Sequence, residues 1–90
     1  MDRFDSMAAF VAVADARGFA QAARRLDIST SSVTRLVSQL ETHLGVRLLN
    51  RTTRAVSLTD AGARFLERAR RILGDLEEAE RSAEDERGEP

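Results

Sequence analysis

The stretch STSSVTRLVSQL, residues 29–40, opens with four hydroxyl residues and then sets apolar and polar side chains at helical spacing. On a helix, Val33, Leu36, Val37, Leu40 and Leu44 form one apolar stripe. The other side presents Ser31, Thr34, Arg35, Ser38 and Thr42, short donors and acceptors around one guanidinium and free of carboxylates. Such a face can lie close to base edges and phosphates, where carboxylates would be repelled. Arg35 is the candidate for a bidentate base-edge or phosphate contact. Thr30, Ser31, Ser32, Thr34 and Ser38 are candidates for the same surface, although Ser and Thr near a helix start also serve as caps. Ser29 is such a cap, and the helix start it marks can also meet a phosphate.

A second cluster follows at Arg51, Thr52, Thr53 and Arg54. It lies between the short apolar runs VRLLNR (46–51) and VSL (56–58), which read as a hairpin around a polar turn. An arginine at a hairpin tip can enter a narrow, electronegative minor groove without a base-specific code. Arg54 suits that role, with Arg51 and Thr52 as phosphate ligands. Arg24 and Arg25 either contact backbone or pair with Asp27. His43 is the only histidine and the chain has no cysteine, so neither a metal site nor a catalytic triad is indicated, and no cofactor is expected.

The elements that must position these residues are legible from periodicity. Phe4, Met7, Phe10, Val11 and Ala14 predict a first helix from about Ser6 to Ala16. Gly18 is available for a positive φ at its end. AQAARRLD (20–27) predicts a short second helix with Ala22, Ala23 and Leu26 inward, and a tight turn leads to the third helix at 30–44, ended by Gly45. Thr59 caps a last helix with Asp60 in its first turn. Phe65, Ala69, Ile72, Leu73, Leu76, Ala79 and Ala83 carry that helix roughly 35 Å at about 1.5 Å per residue, too far for so small a core to cover. A partner helix is therefore expected against Phe65, Ala69, Ile72, Leu73, Leu76 and Ala79. The order is helix, helix, tight turn, helix, hairpin, long helix: a mainly α winged helix-turn-helix with a three-helix core, a short two-stranded wing and a long dimerisation or linker helix.

Ninety residues make one small domain. No apolar run approaches the ~20 residues that span a bilayer, and no signal peptide opens the chain, so a cytoplasmic protein is expected. The net charge of −1 hides an asymmetry. Residues 1–16 carry −2, residues 17–71 carry +7 from eleven arginines against Asp27, Glu41, Asp60 and Glu67, and residues 72–90 carry −6. Binding to phosphate depends on the local potential, and the basic middle holds both candidate clusters.

The blocks GFAQAARRLDIS, SSVTRLVSQLETHLGVRLLNRTTR and VSLTDAG, in this order and spacing, resemble the DNA-binding domain of LysR-type transcriptional regulators over about residues 4–85. The resemblance implies a bacterial regulator with a recognition helix at 30–44 in the major groove and a wing at 51–55 at the minor groove. It also implies a homodimer formed through the long helix on an inverted-repeat operator. Residues 1–58 would be the winged helix-turn-helix, 59–85 the linker helix and 86–90 a frayed tail. The sensor domain of the family, which binds a small-molecule inducer and supports higher oligomers, would be absent, leaving a fragment that binds DNA and senses nothing. Two departures from the family stand out. Thr30 and Ser31 replace the frequent Gln-Pro or Gln-Ser, so the bidentate adenine contact of glutamine is unavailable at Thr30. Ala20 stands where the family tends to place a capping Ser or Thr. The rival reading is a helical protein-interaction module without direct DNA contact, and steep salt dependence of duplex binding separates the two.

Overall fold

Asp2 starts the first helix by accepting a hydrogen bond from the Asp5 N–H, 3.1 Å, so α1 runs over Arg3–Ala16, three residues earlier than periodicity alone indicates. In the computed structural model, which describes residues 2–52 and 55–86, it is followed by α2 (Phe19–Leu26), α3 (Thr30–Leu44), β1 (Leu49–Arg51), β2 (Val56–Leu58) and α4 (Asp60–Asp85). This is a winged helix-turn-helix with a long helix after the wing.

The buried side of α1 is Ser6, Ala9, Phe10 and Val13, rotated from the expected face. Phe4 is half exposed, and Met7, Val11 and Ala14 are only partly covered. Residues 7–14 are almost uniformly apolar, so spacing could not choose a face. Packing does, because α1 touches α2, α3 and α4 together. The left-handed residue between α1 and α2 is Arg17 (φ 59°), not Gly18, whose φ of −176° is extended. Gly18 is instead the N-cap of α2 and makes no side-chain hydrogen bond, so the missing cap belongs to position 18 rather than Ala20.

Ala22 and Ala23 are buried as expected and let α2 approach closely. The stripe of α3 holds for Val33, Val37 and Leu40, but Leu44 stays 40% exposed at the helix end. Ser29 caps α3 and Gly45 closes it at φ 71°, both as expected. The wing is antiparallel, pairing Leu49 with Leu58, Asn50 with Ser57 and Arg51 with Val56. It closes through Thr52 and Ala55, whose N–H groups donate to the Ala55 carbonyl and the Thr52 Oγ1, each 2.9 Å. Strand pairing starts only at Leu49, since the backbone at 47–48 is engaged elsewhere.

Thr59 begins α4. Its Oγ1 accepts from Gly62 N–H at 2.9 Å and donates to the Arg47 carbonyl at 2.7 Å. Phe65 tilts against Phe10 with ring centroids 5.8 Å apart, and Ala69 is fully buried. These two residues, expected at a partner surface, are therefore occupied within the chain's own core. Beyond them Ile72 is 42% exposed and Leu73 and Leu76 are half-buried. Asp15 and Arg70 bridge α1 to α4 by two hydrogen bonds, and those bonds raise the Arg70 guanidinium further above its ordinary range. Of the tail expected at 86–90, Glu86 is the C-cap of α4 and residues 87–90 lie outside the described residues.

Candidate nucleic-acid interface

At the start of α3 the hydroxyls first serve the helix. Ser29 Oγ accepts from Ser32 N–H at 3.1 Å, donates to Ser32 Oγ at 2.8 Å and lies 3.2 Å from Ser31 Oγ. Thr34 Oγ1 donates back to the Thr30 carbonyl at 3.1 Å. Ser29, Ser32 and Thr34 thus spend hydroxyl capacity on α3 itself, whereas the Thr30 and Ser31 side chains are exposed.

Ser31, Thr34, Arg35, Ser38 and Thr42 follow one another at intervals of one, three or four residues, so they line one side of α3. The opposite side, Val33, Val37 and Leu40, is held in the core and fixes which side faces out. Arg35 is exposed and joins no ion pair among the described residues. Arg24 and Arg25 are likewise exposed, and neither pairs with Asp27 among those residues. Uncommitted guanidinium groups beside short hydroxyls can take up phosphate or base-edge acceptors without first breaking an internal pair.

Glu41 is the residue whose role composition concealed. One carboxylate oxygen accepts the N–H groups of Leu48 and Leu49 at 2.8 and 3.2 Å, and the other accepts from Arg51 at 3.2 Å. The Arg51 guanidinium carbon also lies 4.8 Å from the centre of the Phe19 ring, within cation–π reach. On the other side of the same segment, Leu48 carbonyl accepts Thr59 N–H at 3.0 Å. The base of the wing is therefore pinned between α3 and α4. Arg51, expected as a phosphate ligand, is engaged by Glu41 and Phe19 within the chain. Glu41 was the single acidic residue in a stretch of hydroxyls and apolar groups, which was its only local signal. Its partners lie seven to ten residues away and are invisible to helical periodicity.

Thr52 is exposed next to the strand end. Thr53 and Arg54, the remaining wing candidates, lie outside the described residues. His43 is exposed, and no cluster of three metal-ligating side chains occurs among the described residues. No helix of the described residues is long and apolar enough to cross a membrane.

Residues 4–63 match the family model described as bacterial regulatory helix-turn-helix protein, lysR family. Over 80 residues the chain is 48% identical to an HTH-type transcriptional repressor of Pseudomonas aeruginosa, covering 89% of this chain and 25% of that protein. The chain thus spans about a quarter of the length of that relative. Among solved structures, a complex of the CbnR DNA-binding domain with DNA is similar at TM-score 0.81 and 46% identity, covering 98% of this chain and 97% of that one. A complex of the BenM DNA-binding domain with catB site 1 DNA is similar at TM-score 0.91 and 28% identity over the whole of both chains.

Proposed function

Because the chain belongs to the lysR family of bacterial regulatory helix-turn-helix proteins, we propose that α3 enters the major groove of an operator and reads it through Arg35, assisted by Thr30, Ser31 and Ser38. The observation that carries this reading is the outer side of α3, where an exposed Arg35, in no ion pair among the described residues, stands among short hydroxyls while the apolar side is locked in the core. A protein-interaction module would have no need to keep carboxylates off that side. The fit to DNA is also what the two relatives solved with DNA would lead one to expect. The protein acts without catalysis, as a transcriptional regulator in the cytoplasm. Binding of the chain to duplex fragments enriched from a random library tests the reading; failure to enrich any sequence rejects it.

In the same reading the wing at 51–55 meets the neighbouring minor groove, with Arg54 as its reader and Thr52 at phosphate. Arg51 acts differently, bracing the wing from within through Glu41. Arg54→Ala is expected to weaken binding most on sites with A·T-rich flanks, where the groove is narrow. Titration of paired duplexes differing only in their flanks checks this, and equal losses on A·T and G·C flanks would indicate a plain phosphate contact.

The reading also includes a homodimer formed through α4 on an inverted repeat with half-sites about one helical turn apart. Its support is the apolar run Ile72, Leu73 and Leu76, which continues past the last fully buried residue of α4, Ala69. Burying one leucine is worth about 1.5–3 kcal/mol. Leu76→Asp should therefore give a folded monomer that holds a half-site weakly and loses cooperative binding to the full repeat. Sedimentation with and without DNA measures this; a variant that remains dimeric would contradict the assignment.

A further inference from the structure

Among the described residues, two that are not glycine hold a positive φ, Arg17 at 59° and Asp27 at 57°. Aspartate enters the left-handed region readily, because its short side chain can bond locally. Arginine has no such advantage. The residue after it is a glycine, yet Gly18 is extended at φ −176°, a conformation open to any residue. The chain therefore keeps an arginine where φ favours glycine. Backbone held in a sparsely populated region at a cost points to a use for the side chain it carries. The Arg17 N–H closes α1 by donating to the Val13 carbonyl at 2.8 Å, which any residue but proline could do. What is particular to arginine is the guanidinium.

Arg17 lines a cleft between the end of α1 and the wing, together with Ala14, Leu49, Val56 and Leu58. An arginine there can lay its methylene stem along these apolar residues and keep its charged end in water. Arg17 is exposed and joins no ion pair among the described residues. Neither residues 16–26 nor residues 46–59, the segments that frame the cleft, include an aspartate or glutamate. The carboxylates nearest in sequence on the flanking helices are engaged. Asp15 is held by Arg70, and Glu41 by Arg51 and two backbone N–H groups. The charge of Arg51 is thereby balanced within the chain, while that of Arg17 is not. An anion for Arg17 has to come from outside. The cleft also adjoins the wing, since Val56 pairs with Arg51 where the strands run into the turn.

We propose that Arg17 holds a phosphate of the operator backbone beside the wing, and that its left-handed backbone is kept for this contact. This rests on the DNA-binding reading above and adds a contact made by neither α3 nor the wing. Binding of the 90-residue chain to its selected duplex tests it, measured by fluorescence anisotropy between about 50 and 200 mM salt. Arg17→Gly should unfold about 4–8 °C higher, because glycine suits the backbone. It should nonetheless bind about three- to tenfold more weakly at about 100 mM salt, with the slope of log K against log salt shallower by about one. Arg17→Asn, which tolerates the same φ without charge, should lose as much affinity, and Arg17→Lys should keep the unmodified slope. Single neutral methylphosphonates placed along both strands then locate the partner. One position beside the wing should weaken the unmodified chain severalfold and leave Arg17→Gly unaffected. Arg17→Gly with unmodified affinity and slope overturns the proposal, as does a methylphosphonate effect that adds to Arg17→Gly at every position. In both results the duplex is still bound, so the DNA-binding reading stands. A chain that selects no duplex removes that reading, and this contact with it.

Discussion

Gly62→Ala is expected to destabilise the domain by about 3 kcal/mol or more, although alanine is by itself the better helix former by ~1 kcal/mol. The sign is decided by position. The new Cβ would stand 2.0 Å from the Leu48 oxygen, 2.9 Å from its carbonyl carbon and 3.2 Å from its Cα. All three are backbone atoms, so no rotamer change relieves the clash. The strand entry cannot swing aside either, because Leu48 is held by Thr59 through its carbonyl and by Glu41 through its N–H. In a domain of this size the loss corresponds to a fall in Tm of roughly 12–24 °C, from about 4–8 °C per kcal/mol. Thermal unfolding at fixed protomer concentration measures it. A Tm within a few degrees of the unmodified protein would mean that α4 can move off the wing, and that the base of the wing is not rigid.

Arg35→Ala should lower affinity for the selected operator by about 1–3 kcal/mol, from severalfold to more than a hundredfold. The side chain is exposed and bonded to nothing among the described residues, while Val33, Val37 and Leu40 on the far side of α3 are untouched. Unfolding temperature should therefore hardly change. The loss should be accompanied by relaxed discrimination at one position of the site, as expected for a lost base contact. A folded variant with full affinity would remove Arg35 from the reading surface. A uniform loss across all sequences would reassign it to phosphate.

Much of this organisation is written locally. Ser29 and Gly45 bound α3, Thr59 and Asp60 open α4, and the polar turn between two apolar runs marks the wing, because caps and turns depend on residues a few positions apart. The apolar stripe of α3 was legible for the same reason, and with it the outward side that carries Arg35. What escaped is tertiary. The buried face of α1 is chosen by three neighbouring helices in a sequence that is apolar nearly all round. The left-handed turn falls on Arg17 because Gly18 is needed in extended form at the start of α2. Arg51 looks like a free cation until Glu41 and Phe19 are folded beside it, and Arg70 finds Asp15 across fifty-five residues. Phe65 and Ala69 belong to the long stripe by spacing, yet the core claims them and leaves the stripe from Ile72 onward only partly covered.

The distribution of charge explains how a chain of net charge −1 can approach a polyanion. Glu41, the carboxylate of α3, has its two oxygens occupied by three donors, and six of the eight acidic residues of α4 lie in its second half, from Asp75 onward. The exposed arginines of α2 and α3 are then opposed by few free anions on the same side.

In the proposed complex, α3 and the wing contact duplex DNA through phosphates as well as base edges. The most direct test of this is the salt dependence of binding to a selected duplex between about 50 and 200 mM salt. About six phosphate contacts would make affinity fall roughly a thousandfold over that range, with log K linear in log salt. Affinity that holds constant across the same range would contradict it, and would return α3 to the role of a protein-binding helix.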